Sequence, residues 1–299
     1  MSRTLLYLSP HLDDVVFSCA GKILLDVESG DNVTIATIFS SGSKQVSKEY
    51  RARKAEDKRA IEMLGAQCVW MEFPDAPFRS GFYNSFRRII LERDPNDNLE
   101  YVIQLRKAIE CLSVSLGAEE IYAPLGIGTH IDHRLVFEAA SGLLRRSITY
   151  YEERPYTFAR HAAKMRLWSL GAGYNNEGSM IKRDVEEYIE SLCSLPYVEK
   201  YLPAGEERIY CLNMIAEDLK HPHSVALRAF QKVVSVDEYI LLQVQDAVKA
   251  YHSQVKDFFG TMEKCVDDYR EYTNNISGST LYFERYWQLD EIEALADGH

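Results

Sequence analysis

Five short β-rich runs, each separated from the next by a segment of helical periodicity, constrain the fold of this chain most. The first, Thr4-Leu5-Leu6-Tyr7-Leu8, has no polar alternation, the pattern of a strand buried on both faces. Val33-Thr34-Ile35-Ala36-Thr37-Ile38-Phe39, Cys68 to Phe73, Glu120 to Leu125 and Ser147 to Tyr151 follow. Helices are expected at residues 15–29, 47–64, 99–116 and 132–146, with Gly30, Gly65 and Gly117 closing the first three. These spacings are those of parallel crossover units, so the expected class is α/β with a doubly wound, mostly parallel sheet. Such sheets bind ligands outside the carboxyl ends of their strands. His11, Ser40–Ser43, Asp75 and His130 all fall just past a strand's end.

Beyond residue 155 the pattern loosens. Residues 159–169 and 181–193 read as helices, Gly171 to Gly178 as a loop, and residues 237–262 as one long helix. No repeat and no linker stands out. The expectation is a single domain over residues 1–299, with a core of about 1–156 and a C-terminal portion, 157–299, packed on it and shaping the cleft.

Charge narrows the partners. A formal net charge of −11 argues against a nucleic-acid backbone and against an anionic membrane surface, both of which need clustered Lys and Arg. Small neutral or cationic substrates remain open, and a homo-oligomer is compatible with the sequence. No apolar run approaches the ~18 residues of a membrane span, and the N-terminus lacks the pattern of a signal peptide. The six cysteines are scattered without CxxC spacing, as expected of reduced thiols in a cytoplasmic protein.

Two clusters carry the chemistry. His11-Leu12-Asp13-Asp14 sits where the first strand stops and a helix opens. His11 and Asp14, spaced i, i+3, share one helix face, and Asp13 points to a neighbouring direction. A metal held by the first two leaves Asp13 beside it, free to accept a proton from water. Taken alone, the two aspartates are equally readable as helix caps. His130-Ile131-Asp132-His133 repeats the spacing after the fourth strand, behind the glycine-containing stretch Leu125 to Thr129. Alone, it too reads either as ligands or as a capping aspartate beside a surface histidine. Both clusters on one rim supply enough ligands for one divalent metal.

The sequence resembles the PIG-L/LmbE-type metal-dependent N-deacetylases. Ser9-Pro10-His11-Leu12-Asp13-Asp14 is similar to that family's A-H-P-D-D-E motif, and Gly128 to His133 to its H-x-D-H motif. Arg53, Glu56, Ala60 and Leu64-Gly65 fit its R-x-x-E…A…LG helix. Tyr150-Tyr151-Glu152-Glu153-Arg154-Pro155 fits its YYE-x-x-P strand, and Lys249 to Gln254 its K…A…SQ segment. The resemblance implies a Rossmann-like three-layer sandwich. It implies His11, Asp14 and His133 as metal ligands and Asp13 as general base. His130 would be the second acid/base or oxyanion-stabilising group, and Asp132 a residue that hydrogen-bonds His130. Arg53 and Asp75 would face the polar groups of a sugar-like substrate. Two departures stand out: the motif's Pro is Leu12 here, and its Glu is Val15.

The implied reaction is hydrolysis of an N-acetyl group from an amino sugar, glycoside or related small molecule, with Zn²⁺ or, given two histidines and a carboxylate, Fe²⁺ or another divalent ion. The alternatives are hydrolysis of another amide or ester on the same metal centre, and a non-catalytic metal- or sugar-binding regulatory module. A dinucleotide-binding reading fails because no GxGxxG follows the first strand. Trp70, Trp168 and Trp287 read as structural. Tyr150, Tyr151 and Tyr156 read as cleft-lining or core, and His221-Pro222-His223 as a surface loop without a suitably spaced carboxylate.

Overall fold

The structure, a computed structural model, describes residues 2–43, 47–143, 147–172, 182–221, 227–277 and 282–291. The expected loop from residue 173 to 178, the end of the expected 132–146 helix and His223 lie outside the described residues. The first five strands are β1 (Thr4–Ser9), β2 (Asn32–Ser41), β3 (Gln67–Pro74), β4 (Glu120–Pro124) and β5 (Ile148–Tyr151). All five pair in parallel. Between them run α1 (Asp14–Glu28), α2 (Ser47–Met63), the short α3 (Ala76–Arg79) and α4 (Phe86–Leu91), then α5 (Leu99–Leu116) and α6 (Ile131–Ser141). Crossover helices are what parallel pairing requires.

The strand order is β3-β2-β1-β4-β5-β7-β6. Chain direction across the sheet therefore reverses between β1 and β4, and the crevice above that switch point is where such sheets bind ligands. His11 follows β1 and His130 follows β4, so the topology alone brings the two clusters together. Alternation along β1 builds the two faces of the sheet. Leu6 and Leu8 pack with Ile38, Ile121 and the inner faces of α5 and α6. Leu5 and Tyr7 pack with Val33, Ile35, Tyr122 and α1. Such fully buried strands explain the absence of polar alternation.

The C-terminal portion differs from expectation. It contributes two antiparallel strands, β6 (Leu227–Val236) and β7 (Tyr282–Glu291), with β7 joining the parallel sheet at β5. It also carries α7 (Ala162–Ser169), α8 (Lys182–Cys193), α9 (Pro196–Tyr201) and α10 (Glu206–Asp218). The expected long helix is divided into α11 (Glu238–Lys249) and α12 (His252–Phe258), followed by α13 (Met262–Ser277). The break at Tyr251 has a physical reason. Tyr251 is fully buried, and its hydroxyl donates to Asp57 Oδ1 at 2.7 Å. Turning the chain there sets Ser253 Oγ on Glu56 at 2.6 Å and starts α12 above the clusters.

Tyr251→Phe leaves buried Asp57 with one donor fewer. It should destabilise the protein by about 1–3 kcal/mol in urea denaturation. The Trp70 indole at 2.8 Å and the Cys68 thiol at 3.8 Å still donate to the same carboxylate.

Candidate metal centre

The turn between β1 and α1 settles the ambiguity of the aspartates. The Asp13 side chain, at the N-cap position, makes no cap hydrogen bond to α1. Ser9 Oγ instead accepts from Val15 N at 3.2 Å and donates to the His11 carbonyl at 2.6 Å. With the cap supplied by Ser9, both carboxylates are free of that duty. Asp14 folds back, its Oδ2 accepting from His11 N at 2.8 Å. Asp13 sits at φ 147°, a backbone position that costs a side-chain-bearing residue on the order of 1–3 kcal/mol.

Asp14 Oδ2 lies 3.3 Å from His11 Nδ1 and 3.3 Å from His133 Nε2. Tetrahedral bonds of about 2.0–2.1 Å to nitrogen and oxygen would set ligand atoms roughly 3.3–3.4 Å apart. His133 Nε2 is buried and, despite its nearness to Asp14, makes no hydrogen bond. One atom from each of the three residues lies within 4.8 Å of the others. The residues therefore fit a divalent ion, His11 and His133 through nitrogen and Asp14 through oxygen.

Each imidazole is oriented by a carboxylate on its far nitrogen. His133 Nδ1 lies 3.2 Å from Glu153 Oε1, which also accepts from the backbone N–H of Gly126 at 2.6 Å and of Ile127 at 3.1 Å. A proton on Nδ1 leaves the Nε2 lone pair for a metal. His11 Nε2 lies 3.1 Å from Asp132 Oδ2, which leaves Nδ1 toward Asp14. Asp132 is fully buried and held by Arg79 Nη1 at 2.7 Å and Ala76 N at 2.9 Å. Asp97 grips Arg79 in turn, at 2.7 Å from its Nη2.

Asp132 thus departs from expectation: its carboxylate meets His11, not His130. The reason is local. His130 is the N-cap of α6, and its Nδ1 accepts from the Asp132 backbone N–H at 3.2 Å. That leaves the proton of a neutral His130 on Nε2. Burial and the neighbouring His11 push the His130 pKa down to about 3, so the ring is neutral.

The two aspartates are driven apart. Burial and then Asp14 push Asp13 well above the ordinary carboxylate range, with Arg53 and His11 opposing. Burial also acts on Asp14, but His133 and His11 outweigh it and hold Asp14 well below that range. Burial lowers His133 too, yet Asp14 and Glu153 carry it up to about 9. Without a metal the site therefore gathers protons beside its carboxylates, and a cation bound there would displace them.

Arg53 and Asp75 also reach the site, with partners of their own. Arg53 Nη2 lies 3.7 Å from Asp13 Oδ2. In the amide orientation that satisfies both of its neighbours, Gln254 donates to Asp13 Oδ2 at 3.1 Å and accepts from Arg53 Nε at 3.2 Å. Asp75 Oδ1 lies 3.5 Å from His11 Nε2, and its Oδ2 accepts from the Tyr50 hydroxyl at 2.6 Å.

Of the three tyrosines, only Tyr156 borders the site. Its ring meets His133 at 5.3 Å between centroids. A Cβ on Gly128, which has φ +82°, would lie 2.5 Å from that ring. Tyr150 packs on Phe137, and Tyr151 donates to the Leu8 carbonyl. Glu153, Arg79, Tyr50 and Gln254 were not singled out from sequence. Glu153 and Gln254 lay inside matched segments, which was the only signal available.

Residues 6–144 match the family model for PIG-L, GlcNAc-PI de-N-acetylase. That match covers just under half of the chain. The PIG-L match spans both clusters and the three complete crossovers, from β1 to β4, that position them. The 2'-N-acetylparomamine deacetylase of Niallia circulans is 23% identical over 188 residues, covering 52% of this chain and 68% of the relative. That of Streptomyces fradiae is 28% identical over 173 residues, covering 54% of this chain and 60% of the relative. The fold extends further than the PIG-L match. The zinc-inhibited form of the teicoplanin deacetylase Orf2 superposes over 99% of this chain and 100% of its own, with TM-score 0.67 at 17% identity.

Proposed function

We propose that the chain is a zinc-dependent N-deacetylase that hydrolyses the N-acetyl group of a small amino sugar or glycoside. The observation that supports this most is geometric: Asp14 Oδ2 lies 3.3 Å from both His11 Nδ1 and His133 Nε2, and Asp13, held by Gln254 and Arg53, stands beside them. His11, Asp14 and His133 would hold the ion, which supplies Lewis acidity for an acetyl carbonyl. Fe²⁺ suits the same donor set.

Asp13 takes the proton from the attacking water. His130, neutral with its proton on Nε2, donates a hydrogen bond to the carbonyl oxygen as negative charge develops there. Asp13 then returns its proton to the departing amine, giving acetate and a free amino group. Asp132 and Glu153 position the imidazoles, and Gln254 with Arg53 orients Asp13. Asp75 and Tyr50 stand where sugar hydroxyls would approach. The names of the Niallia and Streptomyces relatives, together with this chain's net charge of −11, favour a substrate of aminoglycoside type, cationic apart from its acetylated nitrogen.

Incubating metal-loaded protein with N-acetylglucosamine, diacetylchitobiose and 2'-N-acetylparomamine, and measuring acetate, tests the proposal. Turnover of the cationic member above the neutral sugars is expected. Absence of acetate from all N-acetyl compounds, in protein shown to carry metal, would sink it.

A further inference from the structure

Behind the loop that carries His130 lies a second cavity of about 250 Å³. It is smaller than the roughly 300–1,000 Å³ of pockets for drug-sized ligands, so it suits a small molecule or one substituent of a larger one. Gly126, Gly128 and Thr129 form one wall, and Arg134 and Arg166 border the same space, with Ser169 beside them.

The two arginines lack counterions. Among the described residues no carboxylate lies within ion-pair distance of either guanidinium. Arg166 Nε donates to the Leu125 carbonyl at 2.8 Å, its Nη1 reaches Ser169 Oγ at 3.5 Å and its Cζ lies 4.8 Å from the Phe137 ring centroid, while among the described residues Nη2 makes no hydrogen bond. Among the described residues the Arg134 guanidinium makes no hydrogen bond, ion pair or ring contact. Of the carboxylates that attract Arg166 from farther off, Glu138 pairs with Arg93 at 2.9 Å, and Glu153 holds His133 and the loop amides through Oε1 while its buried Oε2 makes no hydrogen bond. Asp218 lines the cavity too, but pairs with neither arginine. Burial, and then repulsion from Arg134, push Arg166 down to about 10, so it is still charged at neutral pH. Two neighbouring cations in a chain of net charge −11 are a cost that a bound anion would remove.

We infer that this cavity binds an anionic group, a phosphate or carboxylate, between Arg134 and Arg166. Both guanidiniums present paired N–H donors suited to such oxyanions. The cavity lining includes none of the candidate metal ligands, and its Gly126, Gly128 and Thr129 belong to the loop that leads to His130. An anion seated there would brace the loop that places His130.

Titration of inorganic phosphate into the metal-loaded protein, followed by ³¹P line width and calorimetry, tests this without reference to enzyme activity. The expected result is saturable binding, weakened at least tenfold in both Arg134→Gln and Arg166→Gln. Arg134→Gln breaks no hydrogen bond, so loss of fold does not confound it. His11→Ala should bind phosphate as well as the wild type, because phosphate held by the metal would be lost there. No saturable binding, equal affinity in Arg134→Gln, or loss in His11→Ala would overturn the inference. Glucose 6-phosphate gives the source of the anion: tighter binding than inorganic phosphate assigns it to a sugar-borne group, and equal binding to the free ion.

Discussion

Asp13→Asn should lower acetate release by about 10²–10⁴-fold, the usual contribution of a positioned acid-base group. Metal content and fold should be unchanged. Asparagine keeps the shape of the side chain and its contact with Gln254, but cannot take a proton from water. The same substitution removes a buried carboxylate whose charged form is disfavoured first by burial and then by Asp14. Stability should therefore hold or rise slightly, and a thermal melt checks this alongside steady-state kinetics. A variant that is both inactive and unfolded would not bear on the base. One that is folded, metal-replete and nearly as fast as the wild type would show that another group moves the proton.

His133→Ala has the largest expected effect on the metal. Its Nε2 is a buried, unbonded atom of the site, 3.3 Å from Asp14 Oδ2, and its loss would leave His11 as the one imidazole beside that oxygen among the candidate ligands. Elemental analysis should show stoichiometry falling from one ion per chain to near zero. Glu153→Gln offers a graded comparison. It keeps a hydrogen-bonding side chain on His133 Nδ1 but removes the charge that strengthens the ligand, a change typically worth about 10–100-fold in metal affinity. Calorimetric titration of metal into chelated protein should rank wild type, Glu153→Gln and His133→Ala in that order. Unchanged stoichiometry in His133→Ala would remove it from the ligand set.

The parallel half of the fold was legible because fully apolar strands and crossover spacing are local signals. Since β1 and β4 meet at the switch point, the same signals placed His11 beside His130. What was not legible is long-range pairing. Nothing near Arg79 in sequence announces that it fixes Asp132, and nothing in Glu153 announces that it meets both a glycine loop and His133. Asp132 was assigned to its sequence neighbour His130. The backbone defeats that contact, because His130 Nδ1 is occupied by the Asp132 N–H. Residues 237–262 have continuous helical periodicity, yet the bond between Tyr251 and Asp57 breaks the helix, a tertiary demand that periodicity does not carry. In β6, the run Phe230 to Val234 is largely exposed, so its apolar residues follow neither the buried-strand pattern nor a clean alternation.

If His11, Asp14 and His133 hold the metal that acetyl-amide hydrolysis depends on, turnover must follow that metal. The most direct measurement follows acetate and free amine from one N-acetylated amino sugar in three preparations of the wild-type chain: metal-loaded, chelated, and reloaded with one equivalent of zinc. Equimolar acetate and amine are expected from the first, neither from the second, and recovery in the third. Equal release by the chelated protein, with elemental analysis confirming that the metal is gone, would contradict it.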